Sequence, residues 1–149
     1  MADTLIKVDL TQPAPSNPLV HNRWHPDIPM ACWVNPGDDF ILETFDWTGG
    51  FIQNNDSADD VRDIDLTTVH FLSGPIGIEG CEPGDLLVVD ILDIGTLPTS
   101  DWGFTGIFAK SNGGGFLTDH YPDARKACWM RLPSCAEMRS GTSRGFCVT

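Results

Sequence analysis

One short unit occurs twice in this chain and constrains its fold more than anything else in it. Pro36-Gly37-Asp38 leads into DFILETFD, and Pro83-Gly84-Asp85 leads into LLVVDILD, so the two copies align without a gap and set Glu43 opposite Asp90 and Asp46 opposite Asp93. Proline presets φ for the first corner of a turn, glycine supplies the positive φ of the second, and the apolar, partly β-branched run that follows lacks the period of an amphipathic helix. Each copy reads as a turn followed by a strand. Two similar β units in one chain argue against a βαβ repeat.

Other segments read the same way. Ile6, Val8 and Leu10 alternate with Lys7 and Asp9, the period-two mark of a half-buried strand. Further strands are predicted at Ala31 to Val34, Asp39 to Phe45, Thr68 to Leu72, Gly77 to Glu79, Leu86 to Leu92 and Gly106 to Lys110. Helix is suggested at Asp56 to Asp63, where acidic side chains suit a helix N-terminus, and at Asp119 to Trp129, with Asp119 as a cap. The expected class is mainly β, a β-sandwich or jelly-roll-like arrangement.

Charge and cysteine content narrow the function. A formal net charge of −12 opposes binding to a phosphate backbone, which requires clustered Lys and Arg, so nucleic acid is not an expected partner. No apolar run approaches the roughly 20 residues of a membrane span, and the start MADTLIKVDL lacks a basic stretch followed by an apolar one, so neither membrane nor secretion is expected. The five cysteines, Cys32, Cys81, Cys128, Cys135 and Cys147, are odd in number and contain no C-x-x-C pair. That pattern suits the reducing cytoplasm and signals neither a disulfide framework nor a thiolate zinc site.

Four constellations carry polar chemistry. Asn54 to Asp63 is dense in hard oxygen ligands of the kind that suit calcium or magnesium, but it lacks the glycine and terminal glutamate of an EF-hand loop and reads first as a solvated acidic loop. The histidines are His21 and His25 about Trp24, His70 within an apolar strand, and His120 after Asp119; such side chains meet around a zinc ion or serve as ordinary structural histidines. Asp46 and Trp47 precede Gly49-Gly50 at the end of the first duplicated strand, as a site for a ligand or as a capped turn. Gly113-Gly114-Gly115 can present successive N–H groups to an anion or simply make a flexible turn, with Asp119 and His120 as the nearest carboxylate and imidazole. No G-x-S-x-G elbow is present, and none of the three lysines stands beside an acid–cysteine motif.

The blocks VHNRWHPDIPM, PGDDFILETFDWTGG, NNDSADDVRD, HFLSGPIGIEGCEPGDLLVVDILDIG and NGGGFLTDHYP, in this order between Thr4 and Trp129, resemble the N-terminal part of the acetamidase/formamidase family. The resemblance implies an amide hydrolase that converts formamide and water to formate and ammonia, built on a β-sandwich-containing fold and homo-oligomeric at full length. Within that chemistry, Asp46, His70, Asp119 and His120 are the expected catalytic residues, and Trp47, Gly74, Gly113 and Gly114 the expected substrate-binding residues. A divalent metal, zinc rather than calcium, would be held by His25, Asp46 and His70 and would lower the pKa of its water to about 7.

The family continues beyond Trp129, whereas this chain ends in MRLPSCAEMRSGTSRGFCVT. That segment holds three of the nine basic residues and only one of the twenty-one acidic ones. Residues 1–129 are therefore expected to be a formamidase-like region, part of a larger domain, and 130–149 a divergent, disordered tail of frameshifted, spliced or misassigned origin. An incomplete domain should leave apolar strand surface uncovered. The competing readings are a truncated, inactive chain that pairs with a full-length relative and a non-catalytic β-sandwich binding module.

Overall fold

The computed structural model describes residues 2–98 and 100–131, and the backbone of 146–147. It is mainly strand, with a single five-residue α-helix among the described residues. The chain divides into two compact units, Met1–Gly50 with Thr67–Gly95, and Phe51–Leu66 with Thr96–Thr149.

The first unit contains β1 (Asp3–Ile6), a 3-10 turn at Ala14–Ser16, β2 (Val20–His21), β3 (Cys32–Val34), β4 (Phe40–Leu42), β5 (Leu72–Ser73) and β6 (Ile76–Ile78). Each of the first three strands pairs with the strand three places later. β1 runs parallel to β4, β2 antiparallel to β5, and β3 parallel to β6. Every ladder therefore joins residues distant in sequence, and no strand here is a hairpin partner of its neighbour. Cross-strand fit explains one glycine. Gly77 stands opposite Trp33, and a Cβ at Gly77 would run into the Trp33 ring, so the ring lies over the bare backbone.

Glu43, the last residue of the first duplicated run's apolar stretch, ties this unit together. Its N–H donates to the Ile6 carbonyl at 3.1 Å, its Oε2 accepts from the Val8 N–H at 2.8 Å, and its carbonyl accepts from the Ser73 hydroxyl at 2.9 Å. The core beneath is small: Ile6, Ala14, Val34, Phe45 and Val69, with Thr48 as its buried polar member.

The duplicated turns are real and alike. Asp38 N–H donates to Asn35 O while Asn35 N–H donates to Asp38 Oδ2; Asp85 and Glu82 repeat both bonds, and Gly37 and Gly84 take φ of 90° and 107°. The strands that follow are not alike. β4 finds β1, but the expected strand Leu86 to Leu92 pairs with nothing among the described residues. Its large apolar side chains, continuing to Ile94, are 55% to 90% exposed. An extended apolar run fixes a local conformation and not a partner. Apolar side chains expected to lie on a strand are thus uncovered here, although no strand is formed among the described residues.

The second unit contains α1 (Asp59–Asp63), β7 (Trp102–Ile107), β8 (Arg125–Arg131) and β9 (Phe146–Cys147), with β8 between its two antiparallel neighbours. Helix α1 places Val61, only 1% exposed, against β7 at Gly106, where a Cβ would crowd the Val61 methyls at 3.3 Å. β8 reads with period two: Lys126, Cys128 and Met130 all reach the loop at 53–55. Lys126 Nζ donates to Gln53 O at 2.8 Å, Asn55 Oδ1 at 2.9 Å and Asp60 Oδ2 at 2.7 Å, which uses all three of its protons, and its side chain is 2% exposed.

Several sequence expectations shift. Thr68 to Leu72 is a strand only from Leu72, because His70 takes φ of 66° and turns the chain out of the extended region. The strand expected at Gly106 to Lys110 starts earlier and ends at Ile107. The expected helix Asp119 to Trp129 is turn followed by strand: Pro122 stands in its first turns, and the alternation of Lys126, Cys128 and Met130 suits β8. Of the expected tail 130–149, Met130 and Arg131 complete β8 and Phe146–Cys147 pair with them; the remainder, Cys135 included, lies outside the described residues.

The buried lysine gives a direct test. Burial pushes the Asp60 carboxyl up, but the Gln53 N–H, the Lys126 ammonium and the Val61 N–H outweigh it and hold the group below its ordinary value of 3.8. A carboxyl with a depressed folded pKa stabilises the fold above its unfolded pKa and loses that contribution as pH falls through the folded value. Lys126→Met should therefore destabilise the protein by about 3 kcal/mol in urea titrations at pH 7. The deficit should narrow below about pH 4, where Asp60 is neutral in the unfolded chain.

A second test concerns Gly49 in the first unit. It takes φ of 67°, and a Cβ there would lie 2.5 Å from the Phe71 ring and 2.8 Å from the Ala14 methyl. Gly49→Ala should lower stability by roughly 1–3 kcal/mol from the backbone alone, with further loss from the clash. Gly50→Ala, at φ of 85° but with open space about it, should show the backbone loss only.

Candidate functional site

Asp46 ends the first duplicated segment, and its carboxylate organises the turn that follows. Oδ1 accepts from the Thr48 N–H at 2.8 Å and the Thr48 hydroxyl at 2.5 Å, and Oδ2 accepts from the Gly50 N–H at 2.8 Å. The Gly49 N–H closes the turn on the Asp46 carbonyl at 2.9 Å. Both oxygens of Asp46 are thus engaged within the turn, and the positive φ of Gly49 and Gly50 lets the backbone N–H groups converge on them. Sequence reasoning passed over Thr48; the Asp-x-Thr spacing was its one available signal.

This turn holds a histidine by its backbone. The His70 N–H donates to the Trp47 carbonyl at 2.6 Å, and the two rings lie 5.2 Å apart at 31°. His70 is the one non-glycine residue with positive φ among those described. Such a conformation costs of order 1–3 kcal/mol in a non-glycine residue and persists where the surroundings enforce it. Here the enforcing groups are the buried neighbour Val69, the Trp47 carbonyl and the Phe71 ring packed at Gly49. The imidazole itself is exposed beside a half-buried indole, so it can meet a solute on one side while Trp47 walls the other.

Gly74 lies just beyond, at φ of 125° before a cis peptide to Pro75, with its N–H donating to Leu19 O at 2.9 Å. His25 turns to its own loop, where Nδ1 accepts from the Asp27 N–H at 3.2 Å and lies 3.7 Å from the Asp27 carboxylate. A hollow of about 140 Å³ in the same unit is lined by Asp9, Gln12, Pro13, Ser16, Asn17 and Phe45, none of them an expected site residue.

The remaining expected site residues lie in the second unit. Gly113 and Gly114 take φ of 85° and 60°. The Gly114 N–H donates to Ala109 O at 3.0 Å, and the Gly115 N–H donates to the Thr118 hydroxyl, so these two N–H groups close the loop on itself. Asp119 is exposed and faces Lys110 Nζ at 3.5 Å, and the exposed His120 donates its N–H to Leu117 O at 3.0 Å. The structure thus brings Asp46, Trp47 and His70 together and puts Gly113, Gly114, Asp119 and His120 in a separate unit.

The acidic segment is occupied by its own cations. Arg62 pairs with Asp59 at 2.5 Å and with Asp63 at 2.6 Å, and Asp60 receives Lys126. Among the described residues no three His, Cys, Asp or Glu side chains are grouped to hold a metal ion, and His25, Asp46 and His70 form no ligand set in this arrangement. Cys32, Cys81 and Cys128 are free thiols. No helix among the described residues is long and apolar enough to cross a membrane.

Comparison with known proteins places this geometry. The profile of the Acetamidase/Formamidase family matches residues 7–139. The formamidase of Methylophilus methylotrophus is 65% identical over 127 residues, 85% of this chain and 31% of that protein. The acetamidase of Mycolicibacterium smegmatis is 64% identical over 116 residues, 73% of this chain and 29% of that one. Among solved structures, a gamma lactamase from Delftia acidovorans superposes with a TM-score of 0.84 at 55% identity, over 94% of this chain and 41% of its own. The chain spans about three-tenths of the length of the curated relatives it matches. It is a mainly β, partial domain and belongs to the acetamidase/formamidase family.

Proposed function

We propose that the chain supplies the His70 portion of an amidohydrolase acting on small linear amides, with formamide as substrate and formate and ammonia as products. The observation that carries this is the left-handed His70, held by the Trp47 carbonyl beside the Asp46 turn, in a chain 65% identical to a formamidase over their shared stretch.

An amide resists attack because its nitrogen lone pair is delocalised into the carbonyl. Hydrolysis needs a nucleophilic water and a proton for the departing nitrogen. The exposed imidazole of His70 takes a proton from water as its oxygen bonds to the carbonyl carbon. The resulting imidazolium returns that proton to the nitrogen as the C–N bond breaks, releasing ammonia and the acid. Trp47 bounds the space for the acyl substituent. One methyl group distinguishes acetamide from formamide and is worth about 1–3 kcal/mol in such a pocket, so the preference is modest. Asp46 acts as a positioning residue, because its oxygens hold the turn that presents the Trp47 carbonyl to His70.

The test uses the chain joined after Trp129 to the remainder of the Methylophilus formamidase. His70→Gln should lower kcat by roughly 100-fold with a smaller change in KM, and should remove one limb of the pH profile of kcat/KM. Asp46→Asn should lower kcat while leaving the shape of that profile intact. Near-normal kcat in His70→Gln would remove the assignment. The 149-residue chain alone should release no ammonia from formamide above background, since catalytic geometry has to be held to a fraction of an ångström.

A further inference from the structure

The second copy of the duplicated unit is the largest feature of the first unit that the amidase reading leaves unused. From Leu86 to Ile94 the chain runs without turn, bend or ladder among the described residues, and its large apolar side chains stand in solvent. In strand register, Leu86, Val88, Leu92 and Ile94 fall on one face and Leu87, Val89 and Ile91 on the other, with Asp90 and Asp93 one to each face. A strand apolar on both faces belongs inside a sheet that is covered on both sides, unlike a surface strand, which alternates. The Pro83-Gly84-Asp85 turn that launches it is formed and hydrogen-bonded, as is its counterpart before the paired β4.

The geometry points to residues 86–94 as a docking strand whose occupant is the C-terminal portion of an acetamidase/formamidase-family chain, the part beyond the stretch this protein matches. Three observations select that occupant. The chain superposes on the lactamase over 94% of its own length but only 41% of the other, so most of a family fold lies outside it. Edge-to-edge pairing with a second copy would satisfy backbone groups along the strand but leave both apolar faces wet, whereas a domain-sized remainder can add strands and cover both faces. The segment's two carboxylates oppose a self-pairing that stacks like charges. This inference concerns binding and stands whether or not His70 is the catalytic base.

The test is co-expression of the tagged 149-residue chain with the untagged remainder of the Methylophilus formamidase. The remainder should co-purify, and amide exchange across 86–94 should slow by about 100-fold relative to the chain alone. Val88→Asp and Ile91→Asp, one on each face, should cut retention by about tenfold or more. Both side chains are exposed in the isolated chain, so its melting temperature should not change. A single polypeptide joining residues 1–129 to that remainder supplies a second reading of the same exchange, independent of whether the separate remainder is soluble. The proposal is overturned if the isolated chain forms a dimer with 86–94 protected, if retention is indifferent to both substitutions, or if 86–94 in the joined polypeptide exchanges as fast as in the isolated chain. Failure of the joined polypeptide to fold would count equally against it, since a matching socket is what the proposal requires.

Discussion

An extended backbone carries a row of N–H and C=O groups that have to be paired with something, and this requirement governs the chain more than any side-chain contact. The first unit meets it by interleaving, with each early strand borrowing a partner three strands later. No local hairpin nucleates these pairs. Loop closure over such separations comes before any contact forms, so these pairs carry a larger entropic cost than a local hairpin would. Glu43 shows how the long-range pairs are pinned, because one residue bonds to Ile6, Val8 and Ser73 at once.

The turn after Asp46 uses the same accounting on a smaller scale. A carboxylate that looks available for catalysis or metal binding in the sequence is consumed by three donors within four residues. What the turn exports is a carbonyl, that of Trp47, and this carbonyl holds His70 in a conformation that a β-region residue would not adopt. The acid is thus the frame of the turn, and the backbone of His70 is what the turn holds. A similar exchange occurs in the second unit, where an acidic run that suits a cation in sequence has its charges met by Arg62 and Lys126.

What could be read from the sequence divides along the range of the interaction concerned. The Pro-Gly-Asp turns were legible because their geometry is set within four residues, and both copies adopt it. The turn that opens the second copy was legible too, but the strand expected at Leu86 to Leu92 was not found among the described residues, since a partner is a property of the rest of the fold. The left-handed His70 had only a weak local signal, since histidine visits that region less readily than glycine, and the long-range contact that helps hold it, to the Trp47 carbonyl, is a property of the fold. The helix expected at Asp119 rested on a cap residue, whereas Pro122 and the alternation of β8 carried the opposing information. The mainly β class was legible in the many short strand and turn signals, and the family in blocks that sample several turns in order, which no single motif does.

Lys126 carries a practical corollary. The chain has three lysines, and Lys7 and Lys110 are exposed while Lys126 has every ammonium proton donated and a side chain with almost no surface. Acylating or reductively methylating reagents attack the free amine, so a folded molecule should take label at Lys7 and Lys110 and be shielded at Lys126. Label at Lys126 then becomes a clock for the opening of one unit, with its two sisters as internal standards in the same spectrum.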